Sequence, residues 1–318
     1  MGHARKVLVT GATGFVGRRL LEVLNQQPDT KVLAAVRQPQ NLQRGIAQAR
    51  IAGLDPQTDW QSALTGVTEV VHLASRVHVM NETVHDPLKA FRKVNVAGTL
   101  ALAEQAANAG VKRFIFISTI KVNGERTEPG QPFTHQDRPA PQDPYGISKA
   151  EAEAGLRQLA RNSAMEVVIL RPPLIYGPGV KANFARMVRW VQRGVPLPLG
   201  RTNNLRSLLA LDNLVDLIIT CLSHPRAGNQ TFLVSDGEDV STTVLLQKIA
   251  GAMGTSSRLL PVPSGLVWVL VKVLRREDIY QRLFSSLQLD SSFTRQTLDW
   301  TPPLSLDQGL QQVVTGPH

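Results

Sequence analysis

Tyr145-Gly-Ile-Ser-Lys149 sets a phenol and an ammonium four residues apart. On a helix, side chains at that spacing share a face. An ammonium beside a phenol favours the phenolate and is expected to lower the tyrosine pKa. Such a tyrosine exchanges a proton with a carbonyl or alcohol oxygen while a bound cofactor exchanges hydride with the carbon. The pattern alone is common, and after Pro144 it also reads as an ordinary surface helix start. A second group narrows it. Ser118-Thr119 closes the apolar run that begins at Phe114. A hydroxyl at a strand's carboxyl end faces the crevice where α/β sheets bind ligands. It would hydrogen-bond the same oxygen as Tyr145.

Hydride chemistry needs a carrier, and the start of the chain offers a seat for one. Gly11-Ala12-Thr13-Gly14-Phe15-Val16-Gly17 lies between an apolar run and a helical pattern. Glycines there allow a tight turn and a close approach to a pyrophosphate, and the helix N-terminus offers free N–H groups to it. The second apolar run ends at Arg37, where NAD-specific chains carry an acid for the ribose 2′-hydroxyl. An arginine suits a 2′-phosphate, so NADP(H) is favoured and NAD(H) remains possible. Arg37 could also be a solvated residue or stack on the adenine of either cofactor.

These residues must be held by a sheet. Val7–Thr10, Val32–Val36, Val70–Leu73, Phe114–Ser118 and Val167–Leu170 are predicted strands. Val16–Leu24 and roughly 91–109 are predicted helices between them. Strands alternating with helices predict an α/β, doubly wound parallel sheet. From about 175 the chain changes character, with Gly177-Pro178-Gly179, Pro196 and Pro198 marking loops. We therefore expect a dinucleotide-binding domain over 1–174. A smaller mixed substrate-binding region is expected over 175–318, interwoven with the first.

Taken together, the motifs resemble the extended short-chain dehydrogenase/reductase family, its NAD-dependent epimerase/dehydratase members, and their nucleotide-sugar branch. The resemblance rests on the glycine loop, Val71-His72-Leu73-Ala74-Ser75, Val94-Asn95-Val96-Ala97-Gly98-Thr99, Ser118-Thr119, Tyr145/Lys149 and Arg171-Pro-Pro-Leu-Ile-Tyr-Gly-Pro-Gly179. It implies a Rossmann-type fold. It implies a cofactor lined by Gly11, Thr13, Gly14, Phe15, Val16, Gly17, Arg37, Leu73, Ala74, Ser75 and Ser118. Asn95 would support the site, and Pro172, Pro173 and Leu174 would lie beside the nicotinamide. Thr119, Tyr145 and Lys149 match the family's catalytic positions, with Tyr145 and Lys149 also touching the cofactor.

The branch is narrowed by Thr119-Ile120-Lys121. Dehydratases carry an acid pair where this chain has Ile120 and Lys121, so 4,6-dehydration is set aside. Lys121 either contacts substrate or points to solvent, and contact is preferred by its position. Asn183, Arg206 and the Arg282–Asp290 stretch resemble uridine-diphosphate contacts, with Arg206 on the diphosphate. The segments containing His78, Lys121 and Arg282 resemble a narrower group, 4-ketoreductases that form UDP-N-acetylquinovosamine. The expected reaction is NAD(P)H-dependent reduction of the C4 ketone of a UDP-2-acetamido-2,6-dideoxy-hexos-4-ulose for surface polysaccharide. The alternatives are a UDP-hexose or UDP-HexNAc 4-epimerase and a non-catalytic dinucleotide-binding sensor or assembly protein.

The totals set the remaining expectations. One cysteine, Cys221, excludes an internal disulfide or a cysteine metal cluster, and predicts a cytoplasmic protein. No signal peptide is read before the first strand. The net charge of +10 fits an anionic partner or a plain basic surface, and no nucleic-acid motif appears. The apolar stretch 263–274, followed by Arg275-Arg276, reads as a core or dimer helix in preference to a membrane-surface one. The resemblance implies a homodimer packed through helices near 91–109 and 145–161.

Overall fold

The computed structural model describes residues 5–77, 86–273 and 277–316. Its strands are β1 (Arg5–Thr10), β2 (Thr30–Val36), β3 (Ala47–Arg50), β4 (Glu69–His72), β5 (Arg113–Ile117), β6 (Glu166–Arg171), β7 (Leu174–Tyr176), β8 (Leu208–Ala210) and β9 (Thr231–Leu233). Seven form one parallel sheet, ordered β3-β2-β1-β4-β5-β6-β9. The strand order reverses beside β1, opening a crevice at the carboxyl ends of β1 and β4. β7 and β8 pair separately.

The central strands are buried on both faces, which is why they read as unbroken apolar runs. Val7, Val9, Val71, Ile115, Val168 and Leu170 face one core. Leu8, Val70, Phe114, Phe116, Val167 and Ile169 face the other. The first core is closed by α1 (Phe15–Asn25) and by α7 (Leu211–Ser223), which carries buried Cys221. The second is closed by α2 (Gln61–Leu64), α4 (Thr99–Asn108) and α5 (Pro144–Arg161). A third core lies under β7 and β8, where α6 (Ala182–Gln192), α8 (Thr242–Ala252) and α12 (Leu306–Thr315) pack. The remaining helices are α3 (Pro87–Phe91), α9 (Ser264–Val273), α10 (Glu277–Phe284) and α11 (Ser292–Leu298).

Two strands of the parallel sheet escape the sequence pattern, as do β7 and β8 of the separate pair. β3 is Ala-Gln-Ala-Arg, an exposed edge strand with almost no apolar signal. β9 is three residues long, and it returns the chain to the sheet after residue 175. The helix expected over 91–109 is not uniform. α3 leads into a π-helical turn, Arg92–Gly98, before α4 begins.

The apolar 263–274 stretch is another departure. α9 is not a core helix: Leu266 is 64% exposed and Val273 75%. No helix among the described residues is long and apolar enough to cross a membrane.

Candidate active site

The glycine loop is shaped by close packing. Gly11 has φ +68°, and a Cβ there would stand 2.7 Å from the Ala74 nitrogen. At Gly17 a Cβ would stand 2.2 Å from the Gly11 carbonyl. Glycine is required at both. Gly14 caps α1 without a side-chain hydrogen bond, so the first N–H groups of the helix are left for a ligand. Thr13 and Gly14 are exposed, Phe15 and Val16 half-buried. The cradle fits a pyrophosphate. Arg37 is exposed at the carboxyl end of β2.

The segment after β4 forms the opposite wall. His72 is buried, with Nδ1 2.7 Å from the Thr10 hydroxyl and Nε2 2.9 Å from Thr99. Burial, and secondarily the charge of Lys149, push the imidazole down to about 3, so it is neutral. The Thr10 hydroxyl also accepts from the Ala74 N–H at 3.2 Å. That chain of contacts sets Leu73, Ala74 and Ser75, all half-buried, beside the loop. Asn95 then clamps the next residue. Its side chain accepts from the Arg76 N–H at 2.7 Å and donates to the Arg76 carbonyl at 3.0 Å. It also donates to Ser148 Oγ at 3.0 Å, joining the wall to α5. The π turn carries Asn95, a common place for such a turn.

α5 starts where it does because Asp143 accepts from the Gly146 N–H at 2.6 Å and Pro144 presets the first helical φ. Tyr145 therefore lies in the first turn, hydrogen-bonded with Ser75 and edge-on to Phe91 at 6.1 Å. One turn later, Lys149 donates to the Ile117 carbonyl at 2.6 Å and lies 4.2 Å over the Phe116 ring.

The expectation that Lys149 lowers the Tyr145 pKa does not hold here. Burial outweighs the Ser75 hydrogen bond and, with Asp143 adding to it, pushes the phenol up to about 12. Burial likewise pushes Lys149 down to about 7, against the Glu153 charge. The ammonium is bonded to the end of β5.

Ser118 and Thr119 part company, as successive strand residues must. The Thr119 hydroxyl stays at the carboxyl end of β5 and accepts from the Lys121 N–H at 3.3 Å. Ser118, expected to face the cofactor, turns inward and donates to Glu153 at 2.6 Å. Glu153 is fully buried and pairs with buried Arg171 through two hydrogen bonds, at 2.9 and 2.6 Å. Arg171 continues to Asn123 at 2.9 Å. This inward network was not read from the sequence. The only signal was a Glu on the apolar face of α5.

Lys121 is held by two carboxylates, Asp143 at 2.7 Å and Glu125 at 3.1 Å. Burial would lower its pKa, but Asp143 and Glu125 raise it overall. It thus ties the segment after Thr119 to the cap of the helix bearing Tyr145. Glu125 also faces Arg206, whose pKa burial pushes down and Glu125 raises. Arg206 is half-buried and donates to the Ser285 carbonyl at 3.2 Å. Pro172 and Pro173 are buried at the end of β6, the Pro172 carbonyl accepting from Ile120 N–H at 3.0 Å. Leu174 is 41% exposed beyond them, and Asn183 is exposed on α6. His78 and the Arg282 side chain lie outside the described residues. No metal-binding cluster of His, Cys, Asp or Glu occurs among the described residues.

Known proteins fit this arrangement. The NAD dependent epimerase/dehydratase family model matches residues 7–235. The chain belongs to that family. It is 49% identical to a UDP-glucose 4-epimerase of Vibrio cholerae, over 97% of this chain and 94% of that protein. It is 26% identical to an N-acetyl-α-D-glucosaminyl-diphospho-ditrans,octacis-undecaprenol 4-epimerase of Escherichia coli O157:H7, over 97% of this chain and 94% of that one. The fold is shared with UDP-glucuronic acid 4-epimerase of Bacillus cereus, solved with NAD, at TM-score 0.76 and 21% identity, covering 97% of each chain. The protein is an enzyme of the nucleotide-sugar epimerase/reductase type, which sets aside the non-catalytic sensor.

Proposed function

We propose that this enzyme is a 4-epimerase of a UDP-hexose or UDP-N-acetylhexosamine. The observation that carries the reading is the 49% identity to a UDP-glucose 4-epimerase over nearly the full chain. It favours the epimerase over the 4-ketoreductase that the sequence put first. The ketoreductase reading keeps one support, Arg37 in place of an acid at the end of β2.

The dinucleotide, when bound, supplies the hydride acceptor and donor. Gly11, Gly14 and Gly17 would seat its pyrophosphate on the start of α1, with Leu73–Ser75 as the facing wall. Tyr145 would take the proton of the C4 hydroxyl and give it back to the C4 oxygen once the intermediate 4-ketone has turned its other face, while the bound dinucleotide would supply the hydride chemistry at C4. Atoms and electrons balance, with no external reductant. Thr119 hydrogen-bonds the C4 oxygen. Lys149 would favour the phenolate only with the dinucleotide bound, since burial here pushes the phenol up to about 12. Asn95 and Lys121 hold the walls in register.

The test is product analysis by NMR with UDP-glucose, UDP-N-acetylglucosamine, a UDP-4-keto-6-deoxy sugar and an undecaprenyl-diphosphate sugar. Interconversion of C4 epimers without added NADH or NADPH supports the reading. Stoichiometric consumption of reduced cofactor by the keto sugar alone would replace it with the ketoreductase. The Tyr145→Phe variant should keep its dinucleotide and lose turnover. Chromatography of the dinucleotide released on denaturation decides NAD against NADP.

A further inference from the structure

Helix α9 carries an apolar face that the described residues leave open. Among its described side chains only Val267 is buried, at 6% exposure, whereas Trp268 is 45% and Val269 52% exposed, along with Leu266 and Val273. Positions 266, 269 and 273 follow helical spacing, so those three side chains share one face. Leu260, 49% exposed, precedes the helix in the sequence. Single exposed leucines are ordinary, but a contiguous set on one helix marks a surface that something covers.

The segment is mostly cationic: no Asp or Glu occurs between Asp239 and Glu277, and the nearest acids in the sequence, Glu277 and Asp278, open α10, which packs against α9. Lys272 sits 4.6 Å over the Trp268 ring and Arg258 is exposed. Arg275 and Arg276 follow in the sequence. A second copy is a poor occupant. A symmetric contact sets the same patch against itself, so Lys272 and Arg258 would meet their own copies, with acids only at the start of α10. The patch calls for an apolar partner with anionic groups at its edge.

We propose that α9 docks on the surface of an anionic lipid bilayer. The aliphatic side chains enter the acyl boundary, Trp268 lies at headgroup level, and Lys272 reaches back to the phosphates. Ten residues of helix span about 15 Å, half of a bilayer core, so α9 lies on the membrane and does not cross it. The proposal stands whichever sugar the enzyme takes, since it concerns a helix outside the site described above.

The experiment is flotation of the full-length chain with vesicles of phosphatidylglycerol mixed with phosphatidylcholine, and with phosphatidylcholine alone. We expect flotation with the anionic vesicles, release by high salt, and at least about fivefold less binding to the neutral ones. The triple variant Leu266→Glu, Val269→Glu, Val273→Glu should lose binding by more than about tenfold, with its circular dichroism and its turnover of a soluble UDP-sugar unchanged. Lys272→Glu should weaken binding about fivefold or more, and Lys272→Arg should not. No flotation of the wild type at low salt, or flotation untouched by the triple variant, overturns the proposal. So does a wild-type dimer that the triple variant turns into a monomer without any vesicle binding, which would assign α9 to a second copy.

Discussion

Lys149 donates to the Ile117 carbonyl at 2.6 Å, and burial holds its pKa near 7 against 10.5 for a free lysine. Between those values the unfolded chain binds more protons than the folded one, so this group makes stability rise with pH across the window. Below about 7 the whole penalty is present. Lys149→Met removes it, at the loss of one hydrogen bond and the contact with Phe116. The variant should be more stable than wild type at pH 7 by at least about 1 kcal/mol, and the difference should shrink toward pH 10. Urea unfolding at several pH values reads it. A variant less stable at pH 7 would mean the ammonium is comfortable where it lies.

His72 should give the acid side of the stability profile. Its folded pKa lies near 3 against 6.5 unfolded, so as pH falls below 6.5 the unfolded chain takes the proton first. Stability attributable to this residue is full above 6.5 and drains down to about 3. His72→Asn, which can still bond a threonine hydroxyl, should flatten that part of the curve, although it lowers stability at pH 7. If wild type and variant ran parallel from pH 7 to 4, the neutral imidazole would be ruled out.

The Glu153–Arg171 pair should be costly to break from one side. Burial pushes the Glu153 carboxyl up, but the Arg171 hydrogen bonds and charge bring it below the ordinary carboxylate range. Glu153→Gln leaves the Arg171 charge buried with a weaker partner and costs about 3–5 kcal/mol. The double variant Glu153→Leu, Arg171→Met removes both charges and should recover much of that. Chemical denaturation of the three proteins checks it. An equal loss in single and double variants would show that the pair itself, not the stranded charge, carries the stability.

What the sequence made legible was whatever repeats along one dimension. The apolar runs of β1, β2, β4, β5 and β6 are buried on both faces and announce themselves. So do the glycines that a Cβ would jam, and the helix start after Pro144. What it hid depends on partners far along the chain. Ser118 looked like a crevice hydroxyl until Glu153 and Arg171 gave it an inward acceptor. Lys121 read as facing substrate or solvent, and its ion pairs with Asp143 and Glu125 carried no local signal. β3 lacks apolar residues and β9 is too short for any period to show. The 263–274 stretch has the composition of a core helix, and composition does not say whether a neighbour arrives to cover it.

Gly17 tests the loop more sharply than the visible residues of the motif. A Cβ at Gly17 would sit 2.2 Å from the Gly11 carbonyl and 2.8 Å from Ala12 Cα, both main-chain atoms that no rotamer change can move aside. Gly17→Ala must therefore shift the loop against α1, and Gly11→Ala must push on Ala74 from a φ of +68°. A displacement of that kind spoils aligned N–H groups well before it unfolds a sheet. We expect each variant to bind dinucleotide at least about tenfold more weakly, equivalent to ~1.4 kcal/mol, while the thermal unfolding of the free chain falls modestly. Gly66→Ala, whose Cβ meets nothing within 4 Å although its φ is +67°, controls for backbone strain alone and should leave affinity unchanged. Fluorescence titration of the three variants with NAD and NADP measures this. Equal affinity in Gly17→Ala and wild type would mean that the loop is not where the cofactor's phosphates sit.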